Sequence, residues 1–516
     1  MTTSTDVLRF ALRQGPLRGL LHTPVEVDER VPTTALLPPA AARTDRGRPL
    51  PSTAHTLSAG AEYPAGRLSP DGPDLLGRVL ATAFGVLRRE PSNPANDHRV
   101  TASVRSKFPV HVLVVPPGAD HPGYLDPYRH ALVDLALDAP VLAGPVAALR
   151  PAAGDAVVLL AARHTDLPTA YGALRCALGD LETGIQLRSL LVTAELFGVR
   201  ASVATTGPAV SAAAELNAAT GPGSWGAPVV VVLHGVGAPA GSADLDPAGG
   251  GADAAGDERL RVESLHPSLA ECAVAIRPRL ERPRPERPHG LGPGPAETTG
   301  PAIPALPAPP GGGPGWERVW WNRSAGRVPA PLSGFSARPV TRGEDCLRDL
   351  LAWSAVPAPD GPLREVAERV RLTLVPQGLA GLPVGRYGVS DGRLTARALD
   401  PTLPRRIEQG FGYPLSATND CGVRHALAVL VLSADLGSIV RDLGPAAWGL
   451  LQVWCGWAAH GVSLAAAAHD LFARPARSYD EHHLSALLDL PRQESPVLLL
   501  VCGKSRYTEP ALDLRT

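Results

Sequence analysis

Apolar positions fall into one succession of blocks that the chain runs through twice. LLGRVLATAFGVL (75–87) carries leucines and valines at helical spacing. The β-rich run FPVHVLVV (108–115) follows, then PGYLDPYRHALVDL (122–135), two apolar stretches about a polar turn, which predict a hairpin. VVLLAAR (157–163) predicts a buried strand and AYGALRCALGDLETGIQLRSLLVTAELFGV (170–199) a long amphipathic helix. The apolar strand PVVVVLHGVG (228–237) closes the half.

The second half offers LRDLLAWSAV (347–356), RLTLVPQGL (371–379), GLPVGRYGVSDGRLTARAL (381–399) and LAVLVLSAD (427–435) in the same order. The helix GPAAWGLLQVWCGWAAHGVSLAAAAHDLF (444–472) and the strand PVLLLVCGK (496–504) complete it. Both long helices carry a glycine at matching depth, Gly184 and Gly456. A helix-interior glycine costs about 1 kcal/mol, so two at equivalent places predict that the helices approach closely.

The pattern therefore predicts two copies of one α+β unit, 1–240 and 331–516, forming a pseudo-dimer about an approximate twofold axis. Between them, 241–330 is rich in proline and glycine, above all over 277–315, and buries too little apolar surface to offset its ordering entropy. It reads as a linker or an exposed excursion. Within it, ERLRVESLHPSLAECAVAI (258–276) has the composition to fold against a neighbour.

Composition narrows the function classes. A formal net charge of −1 over 516 residues offers no basic field for nucleic acid and no polybasic tract for a membrane surface. No run approaches the length of a membrane span, and MTTSTDVLRFALRQGPLRG has no apolar core of a signal peptide, so a soluble cytoplasmic protein is expected. The 6 cysteines are far apart, without a CxxC pair, which predicts neither a disulfide framework nor a metal site. The histidines of DEHH (480–483) point to different helix faces and read as a solvated helix start. Trp448, Trp454 and Trp457 have helical spacing and read as core or interface.

Of 49 basic side chains, only Lys107 and Lys504 are lysines. A compact, strongly hydrated ammonium is something a planar guanidinium cannot copy, so these two positions are candidates for chemistry. Chance survival under codon bias is the alternative.

The order of elements resembles the nitroreductase-like flavin fold and, more narrowly, the SagB-type azoline dehydrogenases. HRVTASVRSKFPVHVLVV (98–115) is similar to that family's R..PSGGxxYP strand entry and PGYLDPYRHALVDL to its PGxYxYDPxxHAL hairpin. YGALRCALGDLETGIQLRSLL is similar to its KYGxRxYRxxxxDxGH helix, with Tyr171 and Gly184 at the family's separation. The likeness covers most of 70–240 and 335–506. Each motif is loose, and their shared order carries it.

The resemblance implies FMN bound in a cleft between the two copies. Its phosphate would lie on the second half, at Arg338 and Arg342 of ARPVTR (337–342) and at Lys504 and Arg506 of the GKSR ending. Its ring side would lie on the first half, at Arg99, Ser103 and Lys107, since the second-half counterpart, LREVAER (363–369), has lost the motif. A positive charge near the ring's N1–O2 edge favours hydride acceptance, which makes Lys107 a catalytic candidate. The family's Lys-Tyr pair falls on Ala170 and Tyr171 in the first half and on Asp442 and Leu443 in the second. The lysine is lost from both, leaving Tyr171 as the catalytic candidate, against a plain packing role for it.

The implied activity is an FMN-dependent dehydrogenase that oxidises thiazolines or oxazolines to azoles in a ribosomally made precursor peptide. A cyclodehydratase or other biosynthetic subunits would be its partners, with a homodimer of the chain as a further option. The alternative is a flavin-free, degenerate scaffold subunit of such a complex. A general nitro- or quinone-reducing flavoprotein would need an NAD(P)H site, for which the sequence offers no candidate.

Overall fold

The computed structural model describes residues 2–13, 43–57, 60–90, 93–137, 139–149, 151–220, 224–237, 241–245, 266–281, 313–326, 335–359, 361–390, 393–411, 422–508 and 510–515. Most of the proline-rich tract 277–315, and Cys421, lie outside them.

Each half is built on one antiparallel sheet. The first runs, edge to edge, through Ala243–Asp244, Arg43–Pro49, Ala131–Leu135, Gly123–Asp126, Val110–Val115, Ala156–Ala162, Val229–His234 and Arg200–Ala204. The second runs through Arg393–Leu399, Gly385–Ser390, Val370–Pro376, Ala428–Ala434 and Ser495–Ser505, with Phe472–Ala476 and Ala337–Arg338 both paired to the last of these. Hairpin, entry strand, buried strand, closing strand and the strand after the long helix thus occupy the same order in both. The halves are two copies of one unit of mixed α and β structure, as the repeated blocks predict.

The repeat meets itself at the two long helices, Leu174–Leu196 and Ala447–Ala468. A Cβ on Gly184 would stand 1.8 Å from the carbonyl oxygen of Val453, and one on Gly456 would stand 1.8 Å from that of Leu181. Each glycine therefore touches the residue three positions before the other glycine. That reciprocity is the mark of a twofold contact. Only a residue without a side chain lets two backbones come this near.

The structure corrects the amphipathic reading of these helices. Nearly every residue of both is buried, because each lies between a sheet and the other helix. Their polar side chains are accordingly inside: Arg175, Asp180, Glu182 and Arg188 on the first, Gln452 and His460 on the second. The helix boundaries also tighten. The first starts at Leu174, after a separate 3₁₀ turn over Thr169–Tyr171, and the earlier helix Leu75–Phe84 stops at Gly85, where Val86–Glu90 becomes a strand. Asp74 caps that helix by accepting from the Gly77 amide at 2.9 Å.

The stretch that reads as a linker holds two helices among the described residues, Pro267–Leu280 and Trp316–Asn322. The former packs on both long helices, held by Arg279 Nη1 donating to Asp180 at 3.0 Å with both side chains buried. The latter sinks Trp316 and Trp320 into the shared core. Leu512–Asp513, at the far end of the second half, pairs with Val86–Glu90 of the first, so the second half also lends the first a strand.

Cys176, Cys272, Cys346, Cys455 and Cys502 are free and buried, and the described residues contain no cluster suited to a metal ion. No described helix is long and apolar enough to cross a membrane. Trp448 and Trp457 are core residues, and Asp480 caps Glu481–Leu488 through the His483 amide.

Candidate functional site

Two groups of expected site residues take shape, one on each half. The first is the loop between Arg99 and strand Val110–Val115. Ser103 Oγ donates to Glu182 Oε1 at 3.0 Å, the Val104 amide donates to the same oxygen at 2.6 Å, and Ser103 Oγ accepts from the Phe108 amide at 2.7 Å. The Ser103 hydroxyl is thus occupied by the long helix on one side and its own loop on the other. Burial pushes the Glu182 carboxyl up to about 8, against the opposing pull of the Val104 and Ser103 hydrogen bonds.

Three non-glycine residues of this loop have left-handed backbones: Arg105 at φ 51°, Ser106 at φ 53° and Phe108 at φ 48°. Each such conformation costs roughly 1–2 kcal/mol for an L-residue. The loop keeps a shape that glycine adopts freely, although its sequence supplies no glycine.

Beyond the loop lies a narrow cleft lined by both Arg99 and Lys107. Arg99 is 8% exposed, its guanidinium 4.2 Å from the Phe108 ring centroid and 5.3 Å from that of Tyr128. The cleft floor carries a hydrogen-bonded chain that sequence reasoning missed. Tyr124 Oη lies 3.2 Å from His111 Nδ1, His111 Nε2 lies 2.6 Å from Asp166 Oδ2, and Arg163 Nε donates to Asp166 Oδ1 at 2.7 Å. All four residues are buried.

With the carboxylate accepting at Nε2, the imidazole carries its proton there, leaving Nδ1 to accept from the phenol. Burial, reinforced by the Arg163 charge and opposed by Asp166, lowers the His111 pKa, so the ring is neutral near pH 7. Burial also raises the Tyr124 phenol. The available signals were a lone histidine inside an apolar strand and the polar step Arg163-His164-Thr165-Asp166 directly after the buried strand.

The second group forms where the closing strand of the second half ends. Arg338 stands directly across the ladder from Lys504, Arg506 N donates to the Ser336 carbonyl at 3.0 Å, and the Arg342 amide donates to the Gly378 carbonyl at 2.9 Å. Lys504 Nζ donates to the Asp470 carbonyl at 2.8 Å, and Arg342 Nη2 to the His469 carbonyl at 3.3 Å. Partial burial lowers the Lys504 pKa, and Arg342, Arg338 and Arg318 add to that effect while Asp470 opposes it. Four cations therefore converge, with Asp470 bonded to one of them, Arg318, at 2.8 Å.

The cleft at Lys107 is lined by first-half residues, and Arg338, Arg342, Lys504 and Arg506 are not among them. The stretch around Trp316–Asn322 connects the two groups instead. Arg323 Nη2 donates to the Arg99 carbonyl at 2.8 Å, and Asn322 donates at 2.7 Å to Asp470, whose carbonyl holds Lys504. Tyr171 is not among the cleft-lining residues; it is half-buried on an apolar cluster with Val7, Phe10, Leu174 and Trp448, on which Val104 of the first-half loop also packs. Asp442, the second-half counterpart of Ala170, is bonded to Arg369 at 3.0 Å and Ser438 at 3.1 Å.

No family model and no curated protein matches the sequence. Among solved structures, a protein of Anabaena variabilis assigned as a nitroreductase aligns over 98% of this chain and 100% of its own, at 14% identity and a TM-score of 0.61. The E. coli microcin synthetase McbBCD complex with truncated pro-MccB17 aligns over 36% of this chain and 71% of its own, at 15% identity and a TM-score of 0.28. An FMN-dependent nitroreductase of Clostridium difficile aligns over 34% and 84%, at 15% identity and a TM-score of 0.23. The end-to-end alignment with the Anabaena protein shows the fold: two nitroreductase-like units in one polypeptide.

Proposed function

We propose that the chain is an FMN-dependent oxidoreductase that oxidises azoline rings to azoles in a ribosomally made precursor peptide, working beside a cyclodehydratase. The observation that carries the flavin assignment is the convergence of Arg338, Arg342, Arg318 and Lys504 at the end of the closing strand of a nitroreductase-like unit, two positions before Arg506.

These residues suit a phosphate dianion. Mutual repulsion among the cations is what such an anion relieves, and Ser336, 2% exposed beside them, has a hydroxyl with no hydrogen-bond partner among the described residues. When bound, FMN would supply hydride acceptance. The chain's own residues would hold the phosphate at the second-half cluster and present Arg99, Ser103 and Lys107 from the first half toward the ring. Lys107 would place positive charge beside it, and Tyr171 would donate a hydrogen bond or help remove the ring proton.

A second reading, a flavin-free scaffold subunit, is favoured by one observation. Ser103 is bonded to Glu182 of the long helix and to the Phe108 amide, Tyr171 lies on an apolar cluster, and Asp442 is held by Arg369 and Ser438, so the positions that match the family's motifs are engaged in structure. An absorbance spectrum of the purified chain, with any released cofactor identified by mass, separates the two. Bound FMN supports the enzyme, and its absence after reconstitution supports the scaffold.

A further inference from the structure

The internal repeat leaves one sheet edge filled and its counterpart open. In the first half the outer strand of the hairpin, Ala131–Leu135, pairs on its far side with Arg43–Pro49, a segment from earlier in the chain. An arginine of the hairpin turn fastens that added strand: Arg129 Nη1 donates to the Thr44 carbonyl at 3.0 Å, and its Nη2 reaches the Asp45 carboxylate at 3.5 Å. In the second half the corresponding outer strand is Arg393–Leu399, and among the described residues it pairs with Gly385–Ser390 alone. Arg393, Thr395, Ala396, Arg397 and Leu399 are all exposed, Leu399 at 62%.

An open edge is a row of unpaired backbone donors and acceptors, and another extended chain is what completes it. Leu394 packs on the core and holds the strand from its inner face. Arg397 lies against Gly388, the ladder partner of Thr395, so it shares the face of Thr395 and, by strand alternation, of Arg393. Neither arginine has a carboxylate partner among the described residues. A second copy of the chain suits this edge poorly, since antiparallel pairing about Thr395 sets Arg393 against Arg397, like charges directly opposite. We propose that Arg393–Leu399 is a docking edge for a different polypeptide, which adds an extended acidic segment as the next antiparallel strand. Its carboxylates meet Arg393 and Arg397 as Asp45 meets Arg129 at the filled edge. Main-chain bonds supply the affinity and the two arginines select acidic side chains.

The edge uses none of the residues assigned to flavin, so it stands whether or not that reading holds. A fluorescein-labelled peptide of the strand's own length, 7 residues of alternating glutamate and threonine, is titrated into the full-length protein at low ionic strength and followed by fluorescence anisotropy. Saturable binding is expected, with slowed amide exchange over 393–399. Binding should be at least about tenfold weaker in Arg393→Glu/Arg397→Glu, and equally weakened for a peptide with proline at its centre, which keeps the charge and lacks a ladder donor. The proposal is overturned by absent binding, by unchanged binding in the folded double variant, or by equal binding of the proline peptide, which would reduce the effect to charge attraction. It is also overturned if sedimentation shows a wild-type dimer that the double variant dissolves, since the edge would then belong to a second copy.

Discussion

Gly184 and Gly456 lock the two halves together by mirror-image contacts, each hydrogen-only position facing the backbone of the other helix. An added methyl group at either would overlap a carbonyl oxygen 1.8 Å away, and backbone on both sides leaves nothing flexible to yield. Gly184→Ala or Gly456→Ala should each destabilise the protein by on the order of 3 kcal/mol through overpacking. Denaturant melts would measure this. A change below the scatter of surface substitutions would mean that the helices sit farther apart than described.

Arg188 lies in the same interface, fully buried, 4.1 Å from the Trp457 ring centroid and 5.3 Å from that of Trp353, with no hydrogen bond to any of its three nitrogens among the described residues. Cation–π attraction of about 2 kcal/mol does not offset the desolvation of an unbonded guanidinium. Arg188→Met, which keeps the volume and removes the charge, should raise the melting temperature. A clear fall would show that the guanidinium has polar partners.

Glu182 makes stability depend on pH. Its carboxyl is raised from 4.5 to about 8, so between these values the unfolded chain ionises while the folded one keeps its proton. The folded state binds more protons there, and its stability must fall as pH rises from about 4.5 to about 8. Glu182→Gln retains an oxygen for Ser103 and the Val104 amide and should flatten that slope. A slope identical in the variant would assign the effect to another group.

The phosphate assignment is tested at Lys504 and Arg506. Replacing both with alanine should release FMN, since the dianion loses two of its converging charges. Full flavin content in the double variant, or two flavins per chain in the wild type, would remove the single-site assignment.

In the proposed dehydrogenase, Tyr171 would be the one residue left of the Lys-Tyr pair that the resemblance implies. If it acts in proton transfer, Tyr171→Phe should lower azole formation about a hundredfold or more with flavin still bound, read by mass spectrometry as the loss of two hydrogens per ring. Unaltered activity would leave it as the packing residue that its contacts with Leu174 and Trp448 describe.

The alternation and spacing of apolar residues determined the repeat, the order of elements along each half and the meeting of the long helices. These are local or repeated signals, and the paired glycines mark a backbone approach that any side chain would forbid. Boundaries moved where a cap or a glycine ends an element, as at Gly85, which periodicity does not register. Lys107 and Arg99, eight positions apart, stayed together because one loop carries both, and Arg338 and Lys504 met because ladder register sets them opposite each other. Tertiary structure alone decided the rest. His111 and Asp166 are 55 positions apart, and strand register joins them into a chain with Tyr124. The helix Trp316–Asn322 follows a tract whose composition argues against packing, yet its tryptophans find the core between the halves. A hydrophobic pattern states which residues leave water, whereas the partner of a single buried polar group depends on how distant strands and helices are brought side by side.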